Sequence, residues 1–94
     1  MAPTFQVSEF GRTFATRERG DALRRDLLKL AEGHDLAVVD FDGVMSVSYS
    51  FADEFVGKLC TEESLQVDLQ NLSPRVREIV DRAVARRTHD QVAC

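Results

Sequence analysis

Leu36-Ala37-Val38-Val39-Asp40-Phe41-Asp42-Gly43-Val44-Met45-Ser46-Val47-Ser48-Tyr49-Ser50-Phe51 runs from an apolar strand, through an acidic turn, into a serine-rich loop that opens a helix. Leu36 to Phe41 is apolar at every position but Asp40, as expected of a central strand covered on both faces. Downstream, Phe51, Phe55 and Leu59 recur at helical spacing with Ala52 and Val56 beside them, which predicts a helix from about Phe51 to Cys60. Ser50 is placed to cap that helix, in a capping box with Asp53 three residues on.

The same strand-then-helix rhythm appears on both sides of this stretch. Upstream, Phe5, Val7 and Phe10 suit one side of a strand over Thr4 to Phe10, and Phe14 packs just before a helix over Arg17 to Glu32. Leu23, Leu27, Leu30 and Ala31 form the apolar stripe of that helix, and Gly33 stops it. Downstream, Leu65, Val67 and Leu69 alternate with polar residues, the pattern of a strand exposed on one face at a sheet edge. Ser73 caps and Pro74 starts a last helix, with Val76, Ile79, Val80, Ala83 and Val84 on one side. The expected fold is therefore α/β: a small mixed sheet of three to four strands packed with about three helices.

At 94 residues the chain makes one small domain, its core over about 4–87 and a polar tail over 88–94, with no room for a cap over a large cleft. A 44% hydrophobic and 30% charged composition fits a packed core with a solvated surface. The net charge of -4 disfavours nucleic acid, since acids outnumber the bases needed to displace counterions. No apolar run approaches membrane-spanning length and the N-terminus has no signal-like segment, so a cytoplasmic protein is expected. Cys60 reads as a small buried hydrophobe, and Cys94 ends the polar tail. Neither matches a histidine pattern for zinc, and His34 and His89 are given no chemistry. No cofactor or metal is expected.

Asp40-Phe41-Asp42-Gly43-Val44 resembles the first motif of haloacid-dehalogenase-like phosphatases, in which the first Asp attacks phosphorus and the second is a general acid. That chemistry also needs a lysine and further carboxylates at later strand ends. Here the lysine that follows, Lys58, and the acids Asp53 and Glu54 all fall on the next helix. A hydrolytic site on Asp40, Asp42 and Asp53 is kept as the alternative.

Val39-Asp40-Phe41-Asp42-Gly43-Val44 leading to Ser48-Tyr49-Ser50, followed by Leu65 to Leu69 and Asn71-Leu72-Ser73-Pro74, more fully resembles STAS domains, the fold of bacterial anti-sigma-factor antagonists. Arg12 to Gly20 and Ser50 to Phe55 look like signature segments of a short STAS-like bacterial family of unknown function. The resemblance implies a non-enzymatic regulatory module. Its partner would be a histidine-kinase-like ATPase or an anti-sigma factor, and Ser50 would stand where antagonists carry the phosphorylated serine. Ser48, Tyr49, Ser50, Phe51, Asp53, Glu54, Arg12 and Arg17 are the expected partner-binding residues. The helix opens Phe51-Ala52-Asp53-Glu54 where regulatory loops continue Gly-Leu-Gly, and two first-turn carboxylates would oppose an added phosphate.

The segment Arg12, Arg17, Arg19 places cations at a helix start, against the helix dipole, so it serves an acidic partner or the carboxylates of the central stretch, or else forms a solvated charged face partly balanced by Glu18 and Asp21. In the last helix Arg75, Arg77, Arg82, Arg86 and Arg87 interleave with Glu78 and Asp81, which reads as a solvated outer face.

Overall fold

The computed structural model describes residues 2–88; the expectations for His89, Cys94 and most of the polar tail fall outside the described residues. Strands β1 (Thr4–Gln6), β3 (Leu36–Asp40) and β5 (Gln66–Gln70) form a sheet in the order β1-β3-β5. Short β2 (Thr13–Phe14) and β4 (Ser46–Val47) pair separately. Every pairing is parallel, so the expected mixed sheet is resolved into two parallel ones. Helices between consecutive strands of the main sheet return the chain to the same end each time, which makes neighbours run alike.

Helix α1 (Arg17–Leu30) is capped by Thr16, whose hydroxyl accepts from Arg19 N at 3.2 Å. A second helical run occupies residues 49–62: α2 (Tyr49–Ala52), a wide π turn (Asp53–Gly57) and α3 (Lys58–Glu62). Helix α4 (Pro74–Thr88) is capped by Ser73, whose hydroxyl accepts from Val76 N at 3.3 Å. The cap and the proline start of α4 follow the sequence pattern.

Period-two alternation divides the main sheet by face. Phe5, Ala37, Val39 and Val67 point into the core, while Thr4, Leu36, Gln66, Asp68 and Gln70 are exposed. Cross-strand partners share a face, as in Phe5↔Val39 and Val39↔Leu69. The central strand is thus covered on one face, not on both as its apolar run suggested; Leu36 lies on the open side. Phe55 is fully buried at the middle of the core, with ring centroids 5.6 Å from Phe51, 6.0 Å from Phe5 and 6.4 Å from Phe41. Burying each such ring contributes about 1.5–3 kcal/mol, so this aromatic group is a principal tie between the sheet and the helix of residues 49–62.

Two expected core residues are outside it. The first strand ends at Gln6 and a 3-10 turn follows over Val7–Phe10, which leaves Phe10 37% exposed. Leu30, in the last turn of α1, is 46% exposed. Cys60 is half-buried at the margin of the core.

Candidate functional site

The turn after β3 is built from its own side chains. Val44 N donates to Phe41 O at 3.0 Å, and Gly43 sits at φ 88°, a left-handed conformation that glycine adopts without the Cβ clash other residues meet. Asp40 Oδ1 accepts from Asp42 N at 2.9 Å and from Asn71 Nδ2 at 3.0 Å. The Asn71 hydrogen bond, with the Asp42 amide second, holds the Asp40 carboxyl below its ordinary range. The two separated segments singled out in the sequence, around Asp40 and around Asn71, therefore meet at the same end of the sheet.

From that turn the chain is laid against β2. Arg12 O accepts from Met45 N at 2.8 Å and from Ser46 N at 3.4 Å, and Phe14 O accepts from Ser48 N at 2.8 Å. Ser48 Oγ then accepts from Phe51 N at 3.0 Å and is the N-cap of the helix. This corrects the assignment of the cap to Ser50. The helix begins two residues sooner than its apolar stripe, and Ser50 is its second residue, half-buried. The expected box with Asp53 does not form, because Asp53 turns to cations of other helices. Tyr49 is half-buried against the core, and Met45, at the start of the loop, is 62% exposed.

Three expected partner-binding residues are corrected by burial. Phe51 is fully enclosed, its ring stacked on Phe14 at 4.7 Å. Asp53 is 9% and Glu54 6% exposed, and both are engaged inside the protein. Asp53 Oδ1 accepts from Arg87 Nε at 2.6 Å, and its Oδ2 accepts from Arg87 Nη2 at 3.2 Å and Arg17 Nη1 at 2.9 Å. Glu54 accepts from Arg17 and Arg24 at 3.0 Å each and from Lys58 at 2.9 Å. Arg24 also donates to the Glu54 backbone oxygen. Of the two roles expected for Arg17, reaching the carboxylates is what the geometry shows. Arg87, expected on a solvated face, instead points inward and also meets Glu62 at 3.1 Å.

Within this cluster five cations, Arg17, Arg24, Arg25, Lys58 and Arg87, meet four carboxylates, Asp21, Asp53, Glu54 and Glu62. For Asp53, the Arg87 hydrogen bonds exceed the opposing effect of burial and lower its pKa, helped by Arg17. For Glu54, burial acts upward, but bonds from Lys58, Arg24 and Arg17 together outweigh it and bring the carboxyl down to about 2. Both are ionised cross-links between helices. Arg19 is likewise occupied: its guanidinium lies 5.2 Å from the Phe14 ring centre and donates to Phe10 O.

Arg12, Thr13, Asp42, Gly43 and Met45 are exposed at this end and Ser46, Ser48, Tyr49 and Ser50 are half-buried beside them, on a surface held in shape by backbone hydrogen bonds and by the buried Phe51. Among the described residues no group of three or more His, Cys, Asp or Glu side chains is placed to hold a metal ion. No helix among them is long and apolar enough to cross a membrane.

Comparison with curated proteins and with solved structures finds no match. Residues 19–77, well over half of the chain, match the family described as STAS-like domain of unknown function (DUF4325), and the chain belongs to that family.

Proposed function

We propose that this protein is a non-enzymatic interaction module of the bacterial cytoplasm that docks a protein partner through Arg12, Met45 and the Ser46–Ser50 segment. The partner is an ATP-binding regulator of the histidine-kinase-like fold or an anti-sigma factor, and phosphorylation of Ser50 switches the contact. The observation that carries the reading is the juxtaposition of Arg12 with an exposed methionine and three serines on a backbone fixed at both ends.

Two further features support it. A phosphate adds about -1.5 to -2 charges at neutral pH, enough to change a docking surface without refolding the domain. Asp53 and Glu54, one turn further on, are already matched by cations, so they oppose such a charge far less than free carboxylates would. The hydrolytic alternative gains no comparable support: Asp40 serves the turn and the Asn71 bridge, and Asp53 serves the charge cluster.

The test is photo-crosslinking in the source cells from a benzoylphenylalanine placed at Met45, with His34 at the opposite end of β3 as the control position. The expected product is a cross-link to an ATP-binding kinase-like protein or an anti-sigma factor from Met45 alone, weakened by Arg12→Glu. Equal labelling from both positions, or none that depends on Arg12, contradicts the proposal.

A further inference from the structure

A second surface lies at the other margin of the fold. Strand β1 is an edge of the main sheet, with β3 on one side and no strand among the described residues on the other. Pro3 O accepts from Val38 N at 2.8 Å, so residues 3 and 5 present their backbone groups to β3, and by strand alternation those of Thr4 and Gln6 turn outward. An unpaired edge of this kind is a template for another strand, which proteins usually blunt with charge, proline or a covering element.

Beside that edge, between β1 and α1, runs a groove of about 370 Å³ floored by Phe5, Phe10 and Leu30. Phe10 stacks on Phe5 with ring centroids 5.2 Å apart and an interplanar angle of 14°, and its carbonyl is held by Arg19, so the apolar floor is fixed in place. Two of the large apolar side chains that the fold leaves exposed are thus gathered here, where scattered single ones would call for no explanation.

The groove's charges identify its occupant. Glu9 and Asp26 line it and no cation does. Neither makes a salt bridge among the described residues, in contrast to Asp21, Asp53, Glu54, Glu62 and Glu78. A second copy of this chain would bring the same two carboxylates against themselves, which disfavours a symmetric pairing.

We propose that the β1 edge and this groove bind an extended segment of a partner protein that adds as a strand beside Thr4–Gln6. It would seat a bulky apolar side chain on Phe5, Phe10 and Leu30 and set Lys or Arg against Glu9 and Asp26. Backbone pairing supplies the docking and the alternate side chains supply the selection. The site is separate from the Ser46–Ser50 surface: of the turn Val7–Phe10, Phe10 lies in the groove and Ser8 lies beside Gly43 of the turn after β3.

The experiment titrates isotopically labelled full-length protein with four synthetic peptides, read by amide and methyl chemical shifts. The first alternates Lys with Leu, Val or Phe; the second carries Glu in place of Lys; the third carries Ser in place of the apolar residues; the fourth is the first with N-methyl groups on alternate amides. The expected result is that the first peptide alone binds well, shifting Thr4, Gln6, Phe10 and Leu30. Its affinity should fall at least about tenfold in Glu9→Lys/Asp26→Lys protein, two charge reversals at a partly desolvated rim, and should stay unchanged in Arg12→Glu protein. Circular dichroism checks that these surface variants remain folded. Binding of the third peptide as tight as the first, retention of binding by the N-methylated peptide, or shifts centred elsewhere overturns the proposal. Self-association through the same residues, seen by sedimentation, overturns it in favour of a second copy.

Discussion

Arg87 and Asp53 are 34 positions apart in sequence and meet by two hydrogen bonds, Nε to Oδ1 at 2.6 Å and Nη2 to Oδ2 at 3.2 Å. The parallel fork fixes the orientation of both side chains, which a single contact would not. Through it α4 is tied to the π turn of residues 53–57. Gly57 makes room for the pair, since a Cβ there would lie 3.2 Å from Asp53 Oδ1 and 3.0 Å from Arg87 Cδ.

Removing one partner leaves the other charge largely enclosed. Arg87→Ala is expected to lower stability by about 2–4 kcal/mol, near the range for broken buried pairs, and Asp53→Asn by somewhat less because an amide oxygen still accepts. Urea unfolding of the two single variants and the double variant measures this; a coupling energy near zero would contradict the geometry.

The acid limb of stability follows from Glu54. Its folded pKa, about 2, lies below the ordinary 4.5, so its contribution is complete above about pH 4.5 and is lost as pH falls toward 2. Asp53, also depressed, acts in the same direction. Glu54→Gln is expected to flatten the loss of stability between about pH 4.5 and 2, measured by thermal unfolding at a series of pH values. An unchanged slope would show that other groups control the acid transition.

Gly20 in α1 marks a close approach to the helical run of residues 49–62. A Cβ built there lies 2.8 Å from Phe51 O and 3.0 Å from Glu54 Cβ. Alanine would gain about 1 kcal/mol of helix propensity, yet it must push the backbone of residues 49–62 away. Gly20→Ala is therefore expected to destabilise by a net of about 1–3 kcal/mol, whereas a neutral or stabilising result in urea melts would show that the helices can separate freely.

Ser48 and Ser50 should separate in the same assay. Ser48→Ala removes the N-cap acceptor of Phe51 N and should cost about 1 kcal/mol, while Ser50→Ala, which removes no intramolecular cap, should stay within about 0.5 kcal/mol. The reverse order would restore Ser50 as the cap.

Much of this was legible in the residues. The alternation in Leu65 to Leu69 and the stripes of α1 and α4 located their elements, because burial of one face dictates those periods. The apolar run Leu36 to Phe41 marked the central strand but not its open face, since exposed Leu36 leaves no mark in a run of apolar residues. The cap was misplaced by two positions because Ser48 and Ser50 are both acceptable caps, and only the Phe51 amide chooses between them. The charge cluster was legible only in part: cations at a helix start offered the approach of Arg17 to the carboxylates as one reading, whereas Arg24 and Arg87 join Glu54 and Asp53 across 30 and 34 positions, where spacing carries no signal. One hint was present, a glycine inside each of the two helical runs, Gly20 and Gly57, where the structure leaves little room for a Cβ.

The central claim is that Ser50 belongs to a surface whose charge governs docking while the fold beneath it is held by other residues. Its most direct test compares the affinities of Ser50→Ala and Ser50→Asp proteins for the kinase-like ATPase or anti-sigma factor cross-linked from Met45. The account predicts two equally folded proteins whose dissociation constants differ by about tenfold or more, the effect of placing a charge within a docking surface. Equal affinities in equally folded proteins would contradict it.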